Sequence, residues 1–283
     1  MSTRRTALRD RPRALVYALL AAFLFGSVFP LYWSFVIGSV TSQRAIQTPP
    51  PLIPGGHFFD NAARVLDRID FWSALANSIF VSSVAAISTV VFATLAGYAF
   101  AKFRFRGNNA LMVFVILTMT IPPQLALIPL LKEFSNLGLT GTRTAVILPW
   151  MVTAFGVFFM RQYLKDAIPD ELIEAARVDG CSMIRIFWTV AVPAARPAMA
   201  ILGLFTFMQA WTDFMWPLLV LQGSDVQTLQ TALDQLKIAP GQGLSDMALL
   251  QAGTLMATVP LLLLFIATGR QLVSGIMQGA VKG

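Results

Sequence analysis

Residues 71–101 read FWSALANSIFVSSVAAISTVVFATLAGYAFA and contain no Asp, Glu, Lys or Arg. A helix needs about 20 apolar residues to cross the roughly 30 Å of hydrocarbon in a bilayer, so this run is long enough to span a membrane with some tilt. The run is continuous and is not divided into short alternating strands, and a helix satisfies its own backbone hydrogen bonds in lipid. The stretch therefore predicts a transmembrane helix.

Five further apolar runs extend this pattern to six predicted spans. Together the six cover about residues 14–38, 71–101, 108–131, 144–163, 197–221 and 247–269. The composition agrees, because 56% of the residues are hydrophobic and 12% are charged, whereas a soluble domain carries about 25% charged residues. The first run is about twice as long as the apolar part of a signal peptide and is interpreted as a retained helix. The sequence predicts an all-α membrane protein with a single transmembrane domain over residues 1–283.

Lysine and arginine are distributed unevenly between the two sides of the membrane. With six spans both termini share one side, and that side holds 15 of the basic residues against 6 on the other. Because positive residues are retained on the cytoplasmic side, both termini are predicted to be cytoplasmic. The long loop 165–195 is then cytoplasmic, and the external segments are 39–70, a short one at about 132–143, and 222–246. The prolines and glycines of 39–70 predict an extended, turn-rich excursion, and Gly241 and Gly243 suit a flexible tip in 222–246.

Several function classes are excluded by what the sequence lacks. Cys181 is the single cysteine and His57 the single histidine, so no disulfide framework and no site built from several histidines or cysteines can form. The net charge of +7 is explained by orientation and headgroup contact, so no nucleic-acid partner is predicted. No G-x-x-x-x-G-K-[ST] sequence occurs, so the chain does not bind ATP through such a loop. We expect no metal site, no catalytic residue and no cofactor bound by this chain.

The loop between the fourth and fifth spans contains a predicted short helix. Residues 168–180 read IPDELIEAARVDG. Pro169 suits the first turn of a helix, where its missing N–H costs nothing. Asp170 follows at the positive end of the helix dipole. Gly180 accepts the left-handed conformation that commonly ends a helix.

A second short helix is predicted after this turn. Ser182 can cap it, and Pro193 would close it, since proline does not continue a helix. The two helices make a compact helix–turn–helix that stands out of the membrane. On the residues alone, an ordinary amphipathic connector remains an alternative.

The spacing of this loop resembles a known signature. Glu174-Ala-Ala is followed by Gly180, and the loop ends on Val190, Val192 and Pro193. This resembles the signature loop of binding-protein-dependent ABC importer permeases, which reads E-A-A, then G, and I-x-L-P at its end. Valine replaces isoleucine and leucine here, which keeps the apolar character.

Further stretches extend the resemblance over nearly the whole chain. Those similar to the carbohydrate branch of these permeases are residues 97–107, 159–162 and 211–217, and residues 278–283 are similar to the end of the smaller maltose-type subunit. Within that branch, the stretches that look most like cellobiose-type permeases are 31–39, 49–55 and 269–279.

The resemblance implies a type I ABC importer permease fold and a set of contacts. A second homologous permease, a cytoplasmic ATPase dimer and an extracytoplasmic sugar-binding protein would complete the importer, and ATP and magnesium would bind to the ATPase. The loop would hold a coupling helix seated in the ATPase, and its contact residues would be Glu174, Ala175, Ala176, Asp179 and Gly180. A tail contact with the ATPase would come from Ala280, Lys282 and Gly283, and a contact with the binding protein from Gly241, Gln242 and Gly243.

Polar and aromatic residues in or near the spans are candidates for the solute pathway. They are Asn77, Gln209, Trp211, Asp213 and Trp216. A carboxylate and indoles suit sugar hydroxyls and sugar faces, and a charge within a span should face protein or water. Hydrogen bonds between helices or subunits, together with an interfacial belt of tryptophans, explain the same residues as well.

The predicted function is that of a membrane-spanning subunit of an importer for a di- or oligosaccharide in the inner membrane of a bacterium, with a cellobiose-like sugar preferred. Trehalose, maltose-type sugars and glycerol-phosphate stay open as solutes. An ion-coupled secondary transporter is the alternative from another class, and it would place charged partners in mid-span and repeat its halves. A membrane-embedded enzyme would need a cluster of His, Cys or acidic residues, which the sequence lacks.

Overall fold

The computed structural model describes residues 14–237 and 246–280, and from residue 269 onward it describes the backbone alone. Within those ranges the chain is helical and contains no β-strand. The helices are α1 (Ala14–Gly38), α2 (Ser42–Ala45), α3 (Phe58–Arg68), α4 (Phe71–Lys102), α5 (Asn108–Met119), α6 (Leu127–Asn136), α7 (Arg143–Ile147), α8 (Ala154–Ala167), α9 (Asp170–Val178), α10 (Met183–Ile186), α11 (Val192–Thr212), α12 (Met215–Val220), α13 (Leu229–Asp234) and α14 (Met247–Ala280). Short 3₁₀ turns occupy Pro123–Ala126, Leu148–Trp150 and Gln235–Lys237, and a π-helical turn occupies Phe187–Ala191.

The described residues provide up to six candidate membrane spans. Four are continuous helical segments that are long and apolar enough, namely Ala14–Gly38, Phe71–Lys102, Met183–Thr212 and Met247–Thr268. The other two are bent pairs, in which Asn108–Met119 meets Pro123–Asn136 at 90° and Arg143–Trp150 meets Ala154–Ala167 at 40°. If each bent pair is one span, the count agrees with the six helices predicted from hydropathy.

One compact unit combines α1, α2 and α3 with the start of α14. The side-chain amide of Asn61, on α3, donates hydrogen bonds of 2.9 Å to the carbonyls of Gly38 and Val40. A Cβ on Gly38 would lie 2.9 Å from the backbone nitrogen of Ala252. Glycine therefore permits the end of α1 to meet the start of α14 backbone to backbone.

Helix α3 was missed at the sequence level. The prolines and glycines of the segment 39–70 predicted an extended, turn-rich excursion, and that prediction is wrong for Phe58–Arg68. Asn61 and Val65 lie four positions apart and are both buried, which gives this helix its inward side.

The second unit is built around α4, α8 and α11. A Cβ on Gly97 would lie 2.7 Å from the backbone nitrogen of Arg161, so α4 and α8 are in backbone contact there. On α11, Ala195, Ala198 and Leu202 are buried in the same core. Small residues at such contacts are typical of membrane helices, because helix association in lipid depends on close packing.

The predicted end of a loop helix at Pro193 is wrong. Helical structure continues from Met183 to Thr212 through the π-helical turn, and Pro193 is the second residue of α11. A π turn already interrupts the regular pattern of backbone hydrogen bonds. The missing N–H of Pro193 follows directly on that interruption, where it does least harm to the helix.

The segment 222–246 is also more ordered than a single flexible loop. It contains α13, which begins with a capping box between Thr228 and Thr231. Leu229 and Leu233 are buried, so this part of the segment packs against the protein. The predicted tip residues Gly241, Gln242 and Gly243 lie outside the described residues.

Candidate coupling segment and broken spans

Residues 165–195, here called the coupling segment, begin with the short helix α9. Pro169 precedes its first residue, Asp170. At its end, the N–H of Gly180 donates to the carbonyl of Arg177 (3.0 Å) and the N–H of Cys181 donates to the carbonyl of Ala176 (2.9 Å). This pair of bonds is a Schellman motif, which requires a left-handed residue after the helix. Gly180 supplies it with a φ of +77°, as predicted.

The outer face of α9 is open to a partner. Of the predicted ATPase-contact residues, Glu174, Ala175, Asp179 and Gly180 are exposed and Ala176 is half-buried. Ile173 points inward and is 4% exposed. Apolar side chains also remain uncovered, with Leu172 48% and Val178 88% exposed. Exposed apolar residues that border acidic ones are typical of a docking surface.

The turn after α9 leads into the next helix as the sequence predicted. The Ser182 hydroxyl accepts a hydrogen bond of 3.3 Å from the N–H of Arg185 and so caps α10. Ile184, on α10, is 74% exposed. The coupling segment therefore carries two short capped helices with exposed apolar residues on both.

Lys102, at the end of α4, holds the start of the coupling segment. Its ammonium donates to the carbonyl of Ile168 and to the carboxylate of Asp170, the latter at 2.7 Å. The Lys102 side chain is 3% exposed and that of Asp170 is 67% exposed. The Lys102 hydrogen bond and charge keep the pKa of Asp170 below its usual value. From the sequence, Lys102 is only a charge that indicates orientation, because its two acceptors lie more than sixty positions away along the chain.

A cleft of about 280 Å³ lies beside this contact. Residues 101–104 form one wall, and Asp170, Ile173, Glu174 and Arg177 form the other. The inner side of α9 is thus only partly filled, and both signs of charge line the opening.

A hydrogen bond joins the bent span of α7 and α8 to α12, which follows a break in the chain after α11. Asp213 lies in that break, between α11 and α12. The indole of Trp216 donates to the carbonyl of Ala145, in α7, at 3.0 Å. Non-helical backbone at membrane depth needs such partners, because lipid offers none.

The other candidate pathway residues are placed separately. The Asn77 amide donates to the carbonyl of Gln227 at 2.8 Å, and Gln209 is exposed. Trp211 is 2% exposed, and its indole nitrogen has no hydrogen-bond partner among the described residues. A role in the solute pathway stays a prediction for these residues and for Asp213 and Trp216.

The remaining predicted sites fall at or beyond the edge of the described chain. Ala280 ends α14, where the backbone alone is described, and Lys282 and Gly283 lie outside the described residues. Among the described residues, no group of three or more His, Cys, Asp or Glu side chains could hold a metal ion.

Residues 90–272 match the family described as binding-protein-dependent transport system inner membrane component. The chain belongs to this family. It is therefore a membrane subunit of a bacterial transport system, in the predicted inner membrane, and the alternative of an ion-coupled secondary transporter is removed.

Relatives with transport names match along nearly their whole length. The arabinooligosaccharides transport system permease protein AraQ of Halalkalibacterium halodurans is 36% identical over 93% of this chain and 94% of that protein. The lactose transport system permease protein LacG of Rhizobium radiobacter is 34% identical over 98% of this chain and 99% of that protein. The sn-glycerol-3-phosphate transport system permease protein UgpE of Pectobacterium atrosepticum is 28% identical over 92% and 94%.

Solved structures confirm the predicted importer permease fold. A chain of a bacterial ABC transporter involved in the import of the acidic polysaccharide alginate superposes with a TM-score of 0.78 at 24% identity, covering 95% of this chain and 98% of that chain. A second chain comes from a bacterial alginate ABC transporter in complex with an alginate pentasaccharide-bound periplasmic protein. It gives a TM-score of 0.59 at 15% identity, over 90% of this chain and 93% of that chain.

Proposed function

We propose that this chain is one of two homologous membrane subunits of an ATP-driven importer that takes up a di- or oligosaccharide with the help of an extracytoplasmic binding protein. The observation that carries the proposal is the full-length similarity to permeases named for arabinooligosaccharides and for lactose, at 36% and 34% identity. The relative named for glycerol-3-phosphate is less similar, at 28%. A sugar is therefore the preferred class of solute and glycerol-phosphate the second candidate.

The energy for transport comes from a separate ATPase dimer, which binds ATP and magnesium. The exposed face of α9 supports this assignment, because Glu174 offers a carboxylate and Ala175 permits close approach. Gly180 has no other atom within 4 Å of where a Cβ would lie. The surface at the turn is therefore open, and a groove on the ATPase can receive it.

The external partner is a sugar-binding protein that acts on the tip of the segment 222–246. The base of this tip is closed by a hydrogen bond from the N–H of Asp246 to the carbonyl of Lys237, at 3.3 Å. The Asp246 carboxylate is 3% exposed and pairs with Arg64 at 2.9 Å and with Ser42 at 2.7 Å. A tip with a fixed base suits contact with a protein that delivers solute, through Gly241, Gln242 and Gly243.

The solute is tested with the importer purified together with its partner subunits and its binding protein. We expect tight binding of labelled cellobiose by the binding protein, and uptake into proteoliposomes that unlabelled cellobiose inhibits more strongly than trehalose, maltose or lactose. Inhibition by glycerol-3-phosphate alone would favour the second candidate. If no sugar in this set is taken up, the sugar class is wrong.

A further inference from the structure

We propose that Lys102 is a positioning residue through which α4 follows the movement of the coupling segment. The inference rests on the proposed function, in which an ATPase moves α9. It assigns to the end of α4 a role in energy transfer that the signature loop by itself does not describe.

Three elements meet at the Lys102 ammonium. The carbonyl of Ile168, just after α8, and the carboxylate of Asp170, the first residue of α9, both accept from it. One nitrogen atom therefore holds the end of α8, the start of α9 and the end of α4. Ile173 of α9 lies in the same hydrophobic core as Tyr98 and Leu164, so α9 is held against the spans by this apolar contact and by the polar contact at Lys102.

The far end of the coupling segment reaches the same end of α4. Tyr98 lies one turn before Lys102 and is 3% exposed. Its ring packs against Phe187, in the π-helical turn, with ring centres 5.3 Å apart, and against Phe103 at 5.4 Å. Both ends of the coupling segment thus contact one stretch of α4, residues 98–102.

The helix that carries Lys102, α4, is closely packed against α8. At Gly97, α4 and α8 approach so closely that a Cβ would lie 2.7 Å from the backbone nitrogen of Arg161, so the two helices are tightly packed at this level. A displacement of α9 that reaches Lys102 is therefore passed on to a packed pair of spans. Packed helices respond to such a push by moving together, since close-packed interiors are poorly compressible.

The burial of Lys102 favours keeping its contact with Asp170. An ion pair between two exposed side chains contributes little to stability. Here, however, the Lys102 side chain is only 3% exposed. If α9 moved away alone, the buried ammonium would lose Asp170, its charged acceptor, and keep only the Ile168 carbonyl. A buried charge that loses its counter-ion is strongly unfavourable. Moving α4 with α9 avoids that loss.

The test measures solute taken up per ATP hydrolysed by the complete importer in proteoliposomes. Lys102→Met removes the ammonium and keeps a side chain of similar length. Asp170→Asn removes one charge and leaves the Ile168 carbonyl as an acceptor, whereas Lys102→Arg keeps a donor. Arg106→Met is the control, because it removes one exposed positive charge from the same loop without touching the contact.

We expect Lys102→Met to assemble with its partners and to hydrolyse ATP, but to take up about fivefold less solute per ATP, or lower still. The uptake per ATP should fall less in Asp170→Asn and should stay nearer to the wild-type value in Lys102→Arg. In Arg106→Met it should equal the wild-type value. A loss of packing alone would lower the amount of complex and leave this ratio unchanged.

A wild-type ratio in assembled Lys102→Met would overturn the inference. If that variant does not assemble, Asp170→Asn decides: a lowered ratio supports the inference and a wild-type ratio overturns it. The wild-type complex in the same assay tests the proposed function. Absence of uptake there would remove that function and this inference together, whereas uptake by the wild type with an unchanged ratio in the variant removes only the inference.

Discussion

The indole nitrogen of Trp216 donates a hydrogen bond to the carbonyl oxygen of Ala145, 3.0 Å away. Trp216 follows the break between α11 and α12, and Ala145 precedes the break between α7 and α8. This hydrogen bond joins α12 to the first part of the bent span formed by α7 and α8, and we expect the two to move together.

Replacing Trp216 by phenylalanine should destabilise this joint. The aromatic contact with Phe134, with ring centres 5.3 Å apart, is largely kept, but the Ala145 carbonyl loses its donor. A buried acceptor left without a partner costs about 1–3 kcal/mol. We expect a lower unfolding temperature of the purified importer for Trp216→Phe. Trp72→Phe is the control, because Trp72 is 65% exposed, and equal unfolding temperatures for the two variants would show that the hydrogen bond does not stabilise the joint.

A series of substitutions at Gly180 separates backbone strain from contact with the ATPase. Gly180→Ala should cost roughly 1 kcal/mol, because a Cβ disfavours the left-handed conformation, and it meets no atom of this chain. Gly180→Asn tolerates that conformation but adds bulk to the surface, and Gly180→Asp adds charge as well.

Transport should fall in the order alanine, asparagine, aspartate, with Gly180→Asp reduced about tenfold or more while the protein remains inserted in the membrane. Uptake assays with a blot of the membrane fraction measure this. If Gly180→Ala and Gly180→Asp are equally impaired, the loss comes from the backbone and the turn does not contact a partner.

Local features of the fold could be predicted from the sequence, because neighbouring residues determine them. The left-handed Gly180 and the Ser182 cap depend on a few adjacent positions, and the number of spans depends on hydropathy alone. The breaks were missed because hydropathy reports the length of an apolar run and not the continuity of its helix, and residues 144–160 carry no charge through the bend at 151–153. Pro149 beside that bend, and Pro122 and Pro123 at the other, were the available signal. The contact between Lys102 and Asp170 was missed for another reason, which is that only the folded chain brings together residues so far apart.

Shortening the external tip should weaken the response to the binding protein. A deletion across residues 239–244 leaves the closed base at Lys237 and Asp246 in place, so insertion and assembly with the ATPase should persist. We expect lower uptake and weaker stimulation of ATPase activity by loaded binding protein. The control for chain length replaces residues 239–244 by glycine and serine without deleting any residue. Full stimulation of ATPase activity in the deletion variant would show that the tip is only a linker.

Cysteine labelling tests the predicted orientation. Cys181 is the single native thiol and is half-buried at the turn after α9, on the side that the distribution of lysine and arginine assigns to the cytoplasm. A membrane-impermeant maleimide should label it in opened vesicles and not in intact cells.

The matched control for that experiment is Ile53→Cys in a Cys181→Ser background. Ile53 is 77% exposed and lies in a predicted external segment, so it should be labelled in intact cells. If Cys181 is labelled in sealed cells and Ile53→Cys is not, the orientation in the membrane is the reverse of the predicted one.

The most direct test of the central claim is uptake of labelled sugar by the reconstituted importer when ATP is the only source of energy. The binding protein and sugar are placed outside the proteoliposomes, ATP and magnesium are enclosed within, and an ionophore removes every ion gradient. We predict that uptake requires ATP, persists with the ionophore and is lost in Glu174→Lys, whose reversed charge disturbs the exposed face of α9. Uptake that stops with the ionophore, proceeds without ATP or is unchanged in Glu174→Lys would contradict an ATP-driven importer coupled through this helix.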